Sequence, residues 1–142
     1  MAGKEETIDS HRFTQMNTDK EDFLYKDLTS KIIQSAFRVH NILGPGYLEY
    51  IYQNSLIKEL KKNDLQYETE RTVEIFYEGE KVGEHRLDLV VENKVIVELK
   101  AVSDFHPTHQ AQVISYLKAT GLKVALLFNF GKDKVEYKRF IL

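Results

Sequence analysis

Asp88 and the run Glu98-Leu99-Lys100 bring two carboxylates and an ammonium into a short stretch of chain. Side chains alternate across a strand, so Arg86, Asp88 and Val90 are expected on one face of one strand, opposite Leu87, Leu89 and Val91. In the next strand Ile96, Glu98 and Lys100 share a face, and Glu92-Asn93-Lys94 between the two reads as a tight turn. Folded together, the strands make Asp88 and Glu98 neighbours with Lys100 beside them. Asp88 interrupts Leu-Asp-Leu-Val-Val and Glu98 follows Val-Ile-Val, so both acids fall in stretches that read as buried. A buried carboxylate is costly unless it is paired or holds a cation. A divalent ion answers both the burial and the mutual repulsion. Magnesium takes a few carboxylate oxygens and keeps water, and Lys100 suits orienting that water or stabilising charge on a phosphate. Spacing alone leaves a second reading open, a structural ion pair of Lys100 with either acid on a sheet edge.

The elements that position these residues follow from periodicity. Residues 1–22 are polar, without a period, and read as a flexible leader to a single domain over 23–142. A first helix is expected to start near Thr29 as N-cap, with Ile32, Ile33, Ala36, Phe37, His40 and Leu43 at helical spacing. Gly44-Pro45-Gly46 stops it. A second helix is expected from about Tyr47 to Lys62, burying Leu48, Tyr52, Leu56 and Leu60. Strands follow at Thr72–Tyr77, Lys81–Val91 and Val95–Leu99. A third helix begins at Pro107 and stops at Gly121. Lys123–Phe130 and Val135–Ile141 complete the order α-α-β-β-β-α-β-β. A helical crossover between two strands implies a mixed sheet in an α/β domain.

Composition narrows the function. The 142 residues are enough for one core, with 42% apolar and 30% charged residues. The net charge of −2 argues against a high-affinity, non-specific nucleic-acid coat. The chain has no cysteine, which removes disulfides and thiolate metal sites and fits a cytoplasmic protein. No apolar run is long enough for a membrane span, and the N-terminal residues lack the basic-then-apolar order of a secretory signal, so export is not expected.

The acid–lysine set resembles the signature of the PD-(D/E)XK nuclease superfamily. The wider chain is similar to its GxxExxY family: Gly46-Tyr47-Leu48-Glu49-Tyr50-Ile51-Tyr52 carries the naming motif. Gln112-Val113-Ile114-Ser115-Tyr116 resembles the Gln-x-x-x-Tyr helix of RecB-like nucleases, and Leu126 to Gly131 resembles the family's last core strand with its Asn-Phe-Gly exit. The likeness covers about residues 25–142. It implies a restriction-endonuclease-like fold, a mixed β-sheet flanked by helices. It also implies Asp88, Glu98 and the Leu99 backbone carbonyl as ligands of Mg²⁺ or Mn²⁺, and Lys100 as the catalytic lysine. Glu49 becomes the acid that the preceding helix contributes to metal and catalysis, and Gln112 and Tyr116 line the site. The implied activity is a metal-dependent nuclease acting on nucleic acid, with DNA the expected substrate. A homodimer that sets two sites on two strands is a further expectation. The competing expectation is a non-catalytic module that binds nucleic acid or protein on the same fold.

Other residues carry plainer readings. Glu49, about three residues after a Gly46 cap, also suits the helix dipole whatever the function. Gln112 and Tyr116 lie one turn apart, off the stripe Val113, Ile114, Leu117 and Gly121, so a solvated pair competes with a site pair. His40 reads as a core histidine and His85 as structural, opposite Asp88. His106 and His109 flank Pro107 near the expected site mouth, and Lys58, Lys61, Lys62 and Lys94 read as a solvated face.

Overall fold

The computed structural model describes residues 7–8 and 24–142. In chain order it contains β1 (Thr7–Ile8), α1 (Lys26–Leu43), α2 (Glu49–Lys62), β2 (Tyr67–Tyr77), β3 (Glu80–Val91), β4 (Val95–Lys100), α3 (Pro107–Thr120), β5 (Val124–Asn129) and β6 (Glu136–Ile141). From α1 onward this is the expected order. The expected leader lies outside the described residues, apart from Thr7–Ile8, which pair in parallel with Arg139 and Phe140 of β6.

The sheet runs β1-β6-β5-β4-β3-β2. Strands β4 and β5 are parallel and joined by α3, whereas β2–β3, β3–β4 and β5–β6 are antiparallel. Every residue of β5, and all of β4 before Lys100, is buried, as central strands covered on both faces must be. Helices α1 and α2 cover one face, packing Ile32, Ala36, Leu56 and Leu60 on Leu89, Val97, Leu126 and Phe128. Helix α3 covers the other, packing Val113, Tyr116 and Leu117 on Val90, Ile96, Ala125 and Leu127.

Four expectations need correction. Thr29 does not cap α1; it lies inside the helix, and its hydroxyl donates back to the Lys26 carbonyl at 3.1 Å. Helix α2 begins at Glu49 rather than Tyr47, because Gly44 and Gly46 hold positive φ and Leu48 is still extended, so Leu48 is exposed rather than buried with Tyr52, Leu56 and Leu60. Strand β2 begins five residues early, at Tyr67, because its exposed edge tolerates Glu68, Thr69 and Glu70. Strict alternation fails in β3. Leu87 and Val90, three apart, both join the α3 cluster, while Leu89 and Val91 join the opposite one. The break falls at Asp88. On β2 the facing residue, Glu70, has φ 53°, a left-handed conformation costly for a side chain with a Cβ, and pairing passes from Thr69↔Leu89 to Arg71↔Leu87.

Candidate active site

The β3–β4 ladder ends where the two acids begin. Its last backbone pair is Leu89↔Val97. Beyond it the carboxylates take over the hydrogen bonding that the backbone no longer supplies. The Asp88 N–H donates to Glu98 Oε1 at 2.9 Å, and the Leu99 N–H donates to Asp88 Oδ2 at 3.1 Å. Among the described residues, no N–H reaches the second oxygen of either acid. Within a strand a residue's N–H and C=O point to the same edge. The Leu99 carbonyl therefore faces the gap that holds Asp88, while Lys100 turns the other way and its carbonyl accepts from Phe130 at 2.8 Å.

Burial sets the electrostatics. Glu98 is 3% exposed, and desolvation followed by the charge of Asp88 pushes its carboxyl up to about 8. Desolvation also raises Asp88, opposed by the Leu99 N–H, by Lys100 and by its hydrogen bond with Glu98. Glu49 is raised by its own burial and then by Asp88. Three carboxylates thus face one ammonium, an excess of two negative charges when all are ionised. That excess, with a carbonyl in the same gap, fits a hard divalent cation bound by one or two carboxylates and water. Among the described residues, no group of three or more His, Asp or Glu side chains converges as a ready cage. Glu49 is therefore an electrostatic neighbour of the pair rather than part of a preformed triad.

Glu49 is the first residue of α2, not the third, and no side chain caps that helix end. Its place is set by the turn before it. The Tyr52 hydroxyl donates to the Gly44 carbonyl at 2.6 Å and accepts from the Tyr47 N–H at 3.2 Å. The Tyr52 ring stacks on Phe130. The glycine turn, the acid and the tyrosine of the motif therefore form one device that delivers Glu49 to the end of β4.

A second device lies behind Lys100. Asn129, its partner in β5, is fully buried. Its side-chain oxygen accepts from Val102 N–H and Gly131 N–H, both at 3.0 Å, and its amide donates to the Val102 carbonyl at 2.9 Å. Gly131 lies so close to this segment that a Cβ there would collide with the Val102 backbone and with Ala101. The chain leaving Lys100 is thereby pinned to the end of β5. Sequence reasoning missed Asn129 as a positioning residue; the available signal was an asparagine closing an otherwise apolar strand just before Phe-Gly.

Helix α3 divides the expected Gln–Tyr pair. Tyr116 is 4% exposed and belongs to the apolar stripe, which corrects its expected position off that stripe. Its hydroxyl is nonetheless close enough to the acids that burial, Glu98 and Asp88 all raise its pKa. Its ring meets His85 edge-on at 4.7 Å, so His85 packs against α3. Gln112 is exposed, and its side chain makes no hydrogen bond to a described residue. His106 and His109 close the start of α3: His106 Nδ1 accepts from Thr108 N–H, and His109 Nδ1 accepts from His106 N–H. Burial and the charge of Lys100 lower the His109 pKa, which places that ring on the site's rim. His40 is a satisfied core residue, with Nε2 2.7 Å from the Lys132 carbonyl. No helix among the described residues is long and apolar enough to cross a membrane.

The model of the PD-(D/E)XK nuclease superfamily matches residues 26–140. No curated protein matches the chain. Among solved structures, the crystal structure of SSO0001 is similar at 24% identity and a TM-score of 0.53, covering 66% of this chain and 50% of that one. The chain thus spans half the length of that structure, and the likeness is one of fold: the restriction-endonuclease-like mixed sheet flanked by helices.

Proposed function

The chain belongs to the PD-(D/E)XK nuclease superfamily, and from that premise we propose that it is a metal-dependent phosphodiester hydrolase acting on nucleic acid, with DNA the first substrate to test. The observation that carries the reading is the reciprocal tie of Asp88 and Glu98 across the ladder gap, with both carboxyls raised by burial. Asp88, Glu98 and the Leu99 carbonyl would hold Mg²⁺ or Mn²⁺ there. When bound, such an ion supplies Lewis-acid polarisation of a phosphoryl oxygen.

The protein's own groups do the rest. Lys100 presents its ammonium beside the two acids, where it stabilises charge developing on the phosphate. Glu49, raised by burial, assists by moving a proton at its carboxyl oxygen. Tyr116 and Gln112 line the α3 side of the reacting group. The Gly46–Tyr52 turn device and the Asn129–Gly131 clamp support placing the chain in the GxxExxY family.

The test is incubation of the pure protein with plasmid, single-stranded DNA and RNA in Mg²⁺ or Mn²⁺. Metal-dependent cleavage that is lost in Asp88→Asn and falls by about 10²-fold or more in Lys100→Ala is the expected result. Cleavage that persists unchanged in both variants overturns the assignment. No cleavage together with no metal binding leaves the non-catalytic binding module.

A further inference from the structure

A groove of about 370 Å³ opens beside Asp88 and runs between α2 and the β2–β3 ribbon. Tyr50, Gln53 and Asn54 form its helix wall, and Glu70 and Arg86 form its strand wall. The helix residues are spaced i, i+3 and i+4, so they project from one face. Tyr50 is 60% exposed, an aromatic ring left in water at the edge of the groove. Neither its hydroxyl nor the amides of Gln53 and Asn54 bond to a described residue. Arg86 is the single cation among the described residues lining the groove. Its pair with Glu70 is 3.5 Å long, with both side chains about two-thirds exposed, so a phosphate displaces it at little cost.

We propose that this groove holds a single strand of nucleic acid, one base stacked on Tyr50 and its phosphate on Arg86, leading the next phosphate to Asp88. The inference rests on the hydrolase reading for the direction of the strand. Duplex binding draws on many basic contacts to phosphate, and this wall offers one arginine against Glu70 and Asp88. A single strand needs fewer such contacts here because its bases can stack on an exposed ring beside one cation, and every base has a face to stack. Side-chain amides pair with the hydrogen-bonding edges that an unpaired base leaves open. Gln53 and Asn54 sit one turn from Tyr50 for that contact.

The experiment measures fluorescence anisotropy of short labelled single-stranded DNA, single-stranded RNA of the same sequence, and blunt duplex DNA. It uses the full chain with Ca²⁺, which fills oxygen sites, and Mn²⁺ cleavage assays run in parallel. Single strands should bind at least about tenfold more tightly than duplex, and Tyr50→Ala should weaken them by roughly tenfold or more while Tyr50→Phe does not. The better of the DNA and RNA arms identifies the sugar. Tyr50 is exposed, so an unchanged melting temperature shows that the variant folds. Equal binding of duplex, or Tyr50→Ala binding like the wild type, overturns the groove. If cleavage still depends on Asp88 in that case, the hydrolase stands without it. Tyr50-dependent binding of single strands with no cleavage supports the groove and overturns the hydrolase.

Discussion

The ring of Tyr52 lies on that of Phe130, centroids 4.7 Å apart and planes 12° from parallel. One residue belongs to the helix that offers Glu49; the other follows β5 and bonds the Lys100 carbonyl. The contact therefore ties the helix that carries the first acid to the strand end that carries the lysine. Tyr52→Phe keeps the ring and loses the hydroxyl bonds to Gly44 and Tyr47, a cost of about 1–3 kcal/mol. Tyr52→Ala also empties a fully buried site and should cost about 3–5 kcal/mol. Urea denaturation at unchanged slope measures both.

The clamp behind Lys100 gives a second prediction. Asn129→Ala strands the Val102 N–H and carbonyl and the Gly131 N–H in a half-buried setting, a loss of about 2–4 kcal/mol. Gly131→Ala forces its new methyl into the Val102 backbone and should cost a similar amount of stability. Each should reduce turnover by more than it changes metal affinity, because the displaced chain is the one leaving Lys100. Calorimetric metal titration beside activity separates the two effects.

The acids make stability depend on pH when metal is absent. Glu98 rises from 4.5 to about 8, and Asp88 and Glu49 move the same way. Raised folded-state values mean that the folded chain binds protons more tightly than the unfolded one, so this contribution is full below the ordinary carboxylate range and is lost as pH climbs through about 8. Melting temperature in EDTA should therefore fall between about pH 5 and pH 9. Glu98→Gln keeps an oxygen for the Asp88 N–H and drops the charge. It should flatten that decline and raise the metal-free melting temperature at the alkaline end. A wild-type curve that rises over this window contradicts the electrostatics.

Lys100 separates chemistry from ion binding. Lys100→Ala should lower metal-dependent cleavage by about 10²-fold or more. Removing a positive charge from beside two carboxylates should leave Mn²⁺ affinity unchanged or tighter. Loss of both activities together would make Lys100 a structural ion-pair partner of the acids.

Much of this was legible in the residues. Glycines at 44, 46 and 121 and Pro107 marked helix ends through backbone freedom and a missing donor, and apolar runs marked β4 and β5 as central. Asp88 and Glu98 stood out as charges inside apolar strands. What alternation could not show was the change of face between Leu87 and Leu89, which lies opposite the left-handed Glu70 of another strand. Tyr116 was misplaced because the helix stripe is wider than its four aliphatic markers, and a tyrosine buries its ring while its hydroxyl reaches the acids. The length of β2 was hidden because an exposed edge strand accepts the same polar residues as a loop. Asn129 works through contacts with residue 102, far away in sequence.

The central claim is that Asp88 and Glu98 share a divalent ion in the ladder gap. A crystal soaked in Mn²⁺ and measured for anomalous scattering tests it most directly. A peak within coordinating distance of both carboxylates and the Leu99 carbonyl, absent in Asp88→Asn, is the predicted result. A saturating soak that leaves the gap without a peak, or puts manganese elsewhere on the protein, contradicts it.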